Sequence, residues 1–290
     1  MEILKKFSDH KLASVVTEDI GDIASRLNGR AVRLMEVCGT HTFAIMRNGI
    51  PGLLPENVRL VSGPGCPVCV TPPELIDAAI EISRMENVVL ATFGDMMRVP
   101  GSGDTLESAR AAGADVRIVY SPMELIPIAA ESPEKEIVFF AVGFETTAPA
   151  ISSTIVRSER LGLKNLSFIA ANKLIPPALD ALASDGRIDL QGLICPGHVS
   201  AVTGAGAFET VAGKHRIPCV VAGFEPLDML LAIRMLLLQL AEGRAEVEIE
   251  YKRVVNMAGN TRALASIDEV FEPADSSWRG LGVIPQSGLG

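Results

Sequence analysis

The hydrophobic and polar positions follow a repeated pattern along most of the chain. Short runs rich in β-branched and other apolar residues are nearly continuous rather than alternating, which is typical of strands buried on both faces. Most are followed by a turn containing Gly or Pro and then by a helical pattern, so the pattern predicts a parallel sheet with helices outside. The runs are Ala31–Val37, Val58–Val61, Val88–Thr92, Val116–Tyr120, Ile137–Val142, Leu166–Ala170, Gly192–Ile194 and Ile217–Val221.

Eight strand–helix units are compatible with two architectures, a single (β/α)8 barrel or two doubly wound halves. A short motif that occurs twice in the sequence favours two doubly wound halves. Val142-Gly143-Phe144-Glu145 and Ala222-Gly223-Phe224-Glu225 each close a strand and open a helix. We therefore predict an α/β fold of two doubly wound parallel-sheet (Rossmann-like) domains facing a cleft, with the (β/α)8 barrel as the alternative.

The same pattern predicts where the domains begin and end. Residues 1–30 form an N-terminal helical segment, with the helix over Ile3–Leu27, and residues 31–133 form the first α/β domain. The second α/β domain covers residues 134–245, after a crossing point at Glu134-Lys135-Glu136. Residues 246–290 form a C-terminal segment that packs back on the core, with a strand over Val247–Val255, a helix over Asn260–Phe271 and no periodicity after Trp278.

Composition and charge exclude several classes of protein. Of the 290 residues, 48% are hydrophobic and 21% charged, which excludes an intrinsically disordered chain. The net charge of −9, without a basic cluster, argues against a nucleic-acid partner. The longest apolar stretch, Met229–Leu240, is interrupted by Arg234 and is shorter than the ~20 residues of a membrane span. No signal peptide opens the chain, so we expect a cytoplasmic protein without a membrane partner.

The five cysteines are the main candidates for chemistry. An odd number in a chain of this size argues for reactive or metal-binding thiols rather than a disulfide framework. Ligands of open α/β sheets lie outside the carboxyl ends of the strands. Cys38 ends the first predicted strand, and Cys66 and Cys69 follow the second. If these strands are neighbours, the three thiols and His41 converge at one edge of a sheet.

Cys66-Pro67-Val68-Cys69 is a C-x-x-C pair before a predicted helix. Thr71-Pro72-Pro73-Glu74 fits a capping box, which starts that helix two residues after Cys69. A helix N-terminus favours the thiolate form of a nearby cysteine. The pair is therefore suited to thiol–disulfide exchange or to metal ligation, and the alternative is two buried small residues in a tight turn.

Cys38 is followed by Gly39 and by the polar residues Thr40 and His41. A thiol in such surroundings at a strand end is a candidate functional group rather than a core residue. Cys195-x-x-His198 repeats the spacing but supplies only two ligands, whereas a structural zinc site has four. His198 is also consistent with a hydrogen-bonded histidine in a turn. Cys219, within a predicted strand, is interpreted as core.

A third candidate segment opens a helix after a strand. In Gly143-Phe144-Glu145-Thr146-Thr147-Ala148-Pro149, amides and hydroxyls could hold an anion or a partner's chain, or Thr146 or Thr147 could simply cap the helix. The chain has neither a G-x-G-x-x-G motif with its acidic partner nor a Walker A motif. We therefore expect a protein partner rather than a nucleotide.

In five segments the sequence resembles the HypD family of [NiFe]-hydrogenase maturation proteins. The likeness runs from the first residues to the end of the chain. The matching segments are Met35-Glu36-Val37-Cys38-Gly39-Thr40-His41-Thr42, Ser62-Gly63-Pro64-Gly65-Cys66-Pro67-Val68-Cys69-Val70-Thr71-Pro72, Val142-Gly143-Phe144-Glu145-Thr146-Thr147-Ala148-Pro149, Cys195-Pro196-Gly197-His198-Val199-Ser200 and Trp278-Arg279-Gly280-Leu281-Gly282-Val283-Ile284-Pro285.

The resemblance implies a scaffold on which an Fe(CN)2CO centre is assembled together with the small chaperone HypC and the cyanide donor HypE. Cys38 would be an iron ligand shared with HypC, and Cys66 and Cys69 would be a redox-active pair. The resemblance also implies that His41 is the neighbour of Cys38 in the site, and that Thr40 and His41 are catalytic residues together with Cys66 and Cys69. Cofactor-binding positions would be Gly39, Glu145, Thr146, Thr147 and His198, with the Glu145 and His198 segments lining the cleft between the domains.

One departure from the family pattern concerns a second cofactor. Family members continue into a cysteine-rich domain that binds a [4Fe-4S] cluster, whereas this sequence has no cysteine after Cys219. The chain as given is therefore expected to hold no such cluster. Two other functions stay open, a stand-alone thiol–disulfide oxidoreductase using Cys66 and Cys69, and a zinc-binding protein using Cys38, His41, Cys66 and Cys69.

Overall fold

The computed structural model describes residues 10–186 and 188–290. The chain divides into two compact units, each made from two stretches of sequence. Unit 1 comprises Met1–Cys66 and Leu179–Thr261, and unit 2 comprises Pro67–Ala178 and Arg262–Gly290. The chain therefore passes from unit 1 to unit 2 within the C-x-x-C motif.

Unit 1 is built on a five-stranded parallel sheet in the order β2-β1-β7-β8-β9. β1 and β2 are neighbours, with Val32 opposite Val58 and Glu36 opposite Ser62. The strands are β1 (Val32–Glu36), β2 (Val58–Ser62), β7 (Gly192–Pro196), β8 (Cys219–Ala222) and β9 (Val247–Ile249). The helices of this unit are α1 (His10–Ser25), α2 (Gly39–Arg47), α8 (Gly197–Thr203), α9 (Glu209–His215) and α10 (Pro226–Glu242).

The core of unit 1 explains the most apolar stretch of the sequence. Met229–Leu240 lies within α10, which packs along α1 and beneath the sheet. Ile233 and Leu236 are fully buried there, and Arg234 forms an ion pair with Asp19 of α1. In the described part of the chain no helix is long and apolar enough to cross a membrane.

Unit 2 contains a four-stranded parallel sheet in the order β4-β3-β5-β6 and a separate antiparallel hairpin, β10–β11. The sheet strands are β3 (Val88–Thr92), β4 (Val116–Ile118), β5 (Glu136–Gly143) and β6 (Leu166–Asn172). The hairpin strands are β10 (Pro273–Trp278) and β11 (Gly282–Leu289). The helices are α3 (Pro73–Ser83), α4 (Leu106–Ala111), α5 (Leu125–Glu131), α6 (Ala148–Arg160) and α11 (Thr261–Asp268), and α7 (Ile175–Ser184) crosses the division at residue 178.

Two open parallel sheets confirm the predicted doubly wound α/β fold, and the (β/α)8 alternative is wrong. All eight predicted strands are present, with small differences at their ends. The division of the chain differs from the sequential domains 31–133 and 134–245. The reason is that β1 pairs with both β2 and β7, so one sheet recruits strands from both halves of the sequence.

Two local predictions are wrong, and one element left no signal in the sequence. Thr71 does not cap α3, because its hydroxyl donates to the Pro67 carbonyl (2.8 Å) and Pro72 precedes the first turn without a capping side chain. The strand predicted over Val247–Val255 ends at Ile249. The sequence after Trp278 shows no periodicity, yet it forms β11, since its pairing with β10 is set by contacts rather than by a hydrophobic pattern. Residues 3–9 of the predicted N-terminal helix lie outside the described residues.

Candidate functional site

The strand order of unit 1 defines a topological switch point between β1 and β7. β1 connects outward to β2 on one side, whereas β7, β8 and β9 lie on the other. In open α/β sheets, ligands bind outside the carboxyl ends of the strands at such a point. Cys38 follows β1, and Gly197 and His198 follow β7. The switch point therefore carries two of the segments selected from the sequence.

Cys38 lies immediately before α2, in extended backbone conformation (φ −159°, ψ 124°), and its side chain is partly exposed. The buried carboxylate of Glu36 organises this turn. Its Oε2 accepts from the Cys38 amide (3.1 Å), and its Oε1 accepts from the Thr42 hydroxyl (2.5 Å). The carboxylate thus satisfies an amide at the start of the helix and fixes the backbone that bears the thiol.

The loop after β2 packs directly on the end of β1. The Gly63 amide donates to the Glu36 carbonyl (2.7 Å), and the Gly39 amide donates to the Gly65 carbonyl (3.1 Å). A Cβ atom on Gly65 would lie 2.6 Å from the Cys38 Cα and 2.8 Å from the Val37 carbonyl carbon. Only glycine fits this close backbone approach, which brings the residue before Cys66 against the backbone of Cys38.

Cys66 and Cys69 are both disulfide-bonded, whereas Cys38, Cys195 and Cys219 are free thiols. Cys66 is partly exposed and Cys69 is exposed, so solvent-borne thiols can reach the bond. Cys195 and Cys219 are fully buried in neighbouring strands, and burial raises the pKa of the Cys195 thiol. The interpretation of Cys219 as core is confirmed.

His41 lies in the first turn of α2 and is buried, although its neighbours Gly39 and Thr40 in the same turn are exposed. Burial lowers the pKa of His41 to about 4, against the opposing effect of the Ala222 and Gly223 backbone. Neither ring nitrogen has a hydrogen-bond partner among the described residues. His41 is therefore a neutral imidazole near neutral pH, with an unused lone pair.

Phe224 links the two histidines of this region. Its ring centroid lies 4.9 Å from that of His41 and 3.9 Å from that of His198, in a nearly parallel stack with the latter. The pKa of His198 is lowered by burial against this stack. Next to Phe224, a cavity of about 350 Å³ is lined by residues including Thr40, Phe43 and Arg47. Sequence reasoning noted Phe224 only as part of the repeated motif and missed its ring contacts with His41 and His198.

Sequence reasoning also missed an acidic pair at the end of β8, formed by the buried Asp228 and the partly buried Glu250. Asp228 accepts from the Glu225 amide (3.0 Å) and is paired with Arg253 (2.5 Å), and Glu250 accepts from the Gly223 amide (3.0 Å). Burial and the neighbouring Asp228 carboxylate raise the pKa of Glu250 to about 7. The one feature of the sequence that could have pointed to this acidic pair is Asp228 in the first turn of α10.

The remaining predicted site residues belong to unit 2. Glu145 is buried, its Oε1 accepts from the Ile175 amide (2.8 Å), and its Oε2 has no partner among the described residues. Thr146 is exposed, and the Thr147 hydroxyl donates to the Phe144 carbonyl (3.1 Å) and accepts from Asn172 (3.1 Å). Neither threonine caps α6 through its side chain. That Glu145 and His198 line one cleft stays a prediction.

The structure brings together the unit 1 residues of the prediction, namely Cys38, Gly39, Thr40, His41 and His198, around β1, β7 and β8. The described residues contain no group of three or more His, Cys, Asp or Glu side chains placed to hold a metal ion. The residues present do not fit a [4Fe-4S] cluster either, because such a cluster takes four thiolates and two cysteines are engaged in the disulfide.

Burial of Glu145 predicts a pH-dependent stability. Burial raises its pKa to about 7 from an ordinary 4.5, so between these pH values the folded chain holds a proton that the unfolded chain has lost. The unfolding free energy should therefore fall as pH rises from 4.5 to 7, by about 3 kcal/mol from this group. Glu145→Gln keeps the acceptor for Ile175 and removes the titration.

Urea denaturation at several pH values, compared between the two proteins, measures this effect. The difference between them isolates Glu145, because His41 and Glu250 titrate equally in both. The variant should gain stability relative to the parent as pH rises through this window. Parallel curves for the two proteins would mean that Glu145 ionises normally.

These features define a class of protein: a parallel α/β chain with a partly exposed thiol at a strand switch point and a C-x-x-C disulfide on the adjoining loop. The family model HypD, described as "Hydrogenase formation hypA family", matches residues 11–290. The chain belongs to this family.

Similar proteins carry corresponding names. The chain is 50% identical over 267 residues to "Hydrogenase maturation factor HypD" of Azotobacter vinelandii, covering 90% of this chain and 70% of the relative. It is 43% identical over 293 residues to the protein of that name from Rhodobacter capsulatus, covering 100% of this chain and 78% of the relative. The Escherichia coli (strain K12) protein of the same name is 46% identical over 261 residues, covering 90% and 70%.

Proposed function

We propose that the chain is a scaffold on which iron receives its cyanide and carbon monoxide ligands. The process in which it would act is hydrogenase maturation, for which its relatives are named. Iron is the substrate in this proposal rather than a resident cofactor. The observation that carries it is the Cys38 thiol, partly exposed at the switch point on a turn held by Glu36 and Gly65. A thiolate is a soft ligand suited to low-valent iron.

Cys38 supplies only one ligand, and the described residues offer no surrounding group of further ligands. A single protein thiolate leaves most coordination positions of the iron open for diatomic ligands and for a ligand from a second protein. This supports a complex with a HypC-like small chaperone, which would share the iron, and with a HypE-like protein, which would deliver cyanide.

The Cys66–Cys69 pair would exchange electrons in this scheme, the disulfide accepting them and the dithiol supplying them. Its reduction takes up two electrons and two protons and yields two thiols, and its re-formation returns them. The backbone of Gly65 lies against that of Cys38, and the pair begins at the next residue, Cys66.

The exposed disulfide also favours a second candidate function, a stand-alone thiol–disulfide oxidoreductase. Co-expression with HypC-like and HypE-like partners, followed by metal analysis and infrared spectroscopy of the purified complex, separates the two. Iron with CN and CO stretching bands is expected. Protein without iron that exchanges disulfides with other chains supports the oxidoreductase, and one equivalent of zinc would contradict both.

A further inference from the structure

The hairpin β10–β11 contacts the segment that follows the C-x-x-C motif. At the end of β10, the Arg279 amide donates to the Val70 carbonyl (2.8 Å), and Val70 directly follows Cys69. The Arg279 side chain donates from Nη2 to the Pro100 carbonyl (2.7 Å). Arg279 therefore joins the turn segment that follows Cys69 to the turn at Pro100.

The turn at Pro100 is itself fixed to α3. Asp77 on this helix accepts from the amide (2.8 Å) and the hydroxyl (2.5 Å) of Ser102. These bonds, aided by the positive charge of Arg279, lower the pKa of Asp77. Arg279 thus contacts both the segment before α3 and a turn anchored on α3.

The hairpin is well packed next to this contact. Trp278, next to Arg279, is 1% exposed, stacks on Phe144 and donates from Nε1 to the Ser287 hydroxyl (2.8 Å). Gly280 and Gly282 adopt positive φ angles in the turn that follows. Anchoring of Trp278 therefore fixes the position from which Arg279 holds Val70.

The segment after Cys69 shows a sharp change in exposure. Cys69 is exposed, whereas Val70 and Thr71 are buried, and the Thr71 hydroxyl donates back to the Pro67 carbonyl (2.8 Å) within the same loop. Cys69 is thus exposed to solvent, whereas the two residues that follow it are buried and hydrogen-bonded.

We propose that Arg279 is a positioning residue for the Cys66–Cys69 pair, holding the backbone after Cys69 so that the two sulfurs stay at bonding distance. This inference rests on the proposed redox function. When the disulfide opens, a held backbone keeps the thiols close, which raises their effective concentration and favours closure. Loosening the backbone favours the dithiol.

The reaction to be measured is exchange with glutathione. Two glutathione thiols reduce the protein disulfide, giving one glutathione disulfide and two protein thiols, so electrons and protons balance. The full chain is equilibrated at a series of glutathione ratios, alkylated, and read by peptide mass spectrometry at Cys66 and Cys69. The free thiols of Cys38, Cys195 and Cys219 are thereby kept out of the signal.

Arg279→Ala keeps the backbone bond to Val70 but removes the side-chain bond to the Pro100 carbonyl that fixes Arg279 in place. The equilibrium constant for reduction should then rise about fivefold, the effect of losing one hydrogen bond of ordinary strength. Arg279→Lys keeps a positive charge and a donor and should restore part of the difference. Asp77→Asn, which weakens the Ser102 anchor from the exposed side of α3, should shift the constant in the same direction by about twofold. Arg98→Ala is the matched control, because Arg98 is an exposed arginine of the same unit paired with Glu107.

The outcomes are distinguishable. A normal exchange equilibrium in Arg279→Ala together with a lower melting temperature would show that Arg279 only stabilises the fold, and the inference would be wrong. If Arg279→Ala does not fold, an unchanged constant in Asp77→Asn overturns the inference instead. If the parental pair does not exchange with glutathione at all, the proposed redox function and this inference both fail, whereas exchange in the parent with no shift in the variants removes only the inference.

Discussion

Cys38→Ser is expected to abolish the retention of iron bearing CN and CO in the complex with the partner proteins, and with it hydrogenase maturation. A serine hydroxyl is a poor ligand for low-valent iron, whereas a thiolate matches its softness. The fold should persist, because the Cys38 contacts that organise the turn are made by its backbone amide and carbonyl rather than by the sulfur. Infrared bands and iron content should fall to background, with a melting temperature near that of the parent.

Cys219→Ala is the matched control for this result. It removes a free thiol from the same unit at a fully buried position in β8, away from the end of β1. This variant should keep its iron and its infrared bands at the parental level for the amount of folded protein. Parental levels of iron-bound cyanide in Cys38→Ser would instead mean that Cys38 is not an essential ligand.

Gly65→Ala is expected to disturb both stability and site geometry. Its added methyl group would overlap the backbone of Val37 and Cys38, which cannot rotate away as a side chain could. The loop must therefore shift, and the bond from the Gly39 amide to the Gly65 carbonyl is lost. Overpacking of this kind costs about 1–3 kcal/mol of unfolding free energy. Displacement of the loop should also lower iron retention by the complex.

Gly52→Ala is the control for this substitution, since an added Cβ at Gly52 meets no atom within 4 Å. Urea denaturation and iron analysis of both variants measure the two effects. Gly52→Ala should resemble the parent in both measurements. Equal stability and iron content in Gly65→Ala would show that the loop after β2 is not held against Cys38 in solution.

Much of the fold could be predicted from local pattern. A strand buried on both faces of a parallel sheet must be apolar along its whole length, and β3 and β5 show this directly in the sequence. By contrast, β10 and β11 alternate only weakly and contain Ser, Gly and Pro, and Trp278 packing on Phe144 stabilises them. Hairpin strands that depend on such distant contacts leave no periodic signal.

The candidate site shows the same contrast. Cys38, Cys66 and Cys69 could be selected from the sequence because their spacing and glycine-rich surroundings report local backbone geometry. Phe224 and Glu250 could not, since an aromatic or acidic residue becomes part of a site only through what lies opposite it. The capping prediction at Thr71 failed for a related reason, because a hydroxyl has several acceptors within reach and the loop conformation selects one of them.

By itself, the sequence determined the class of fold and the positions of the strands and offered candidate residues for chemistry, because each of these depends on the residue types within a short stretch of chain. Only the tertiary structure decided which strands are neighbours. β1 lies between β2 and β7, and this order creates the switch point at Cys38, divides the chain within the C-x-x-C motif and buries His41 against Phe224. Strand order depends on packing between residues far apart in the sequence, and the repeated strand–helix pattern is compatible with many such orders.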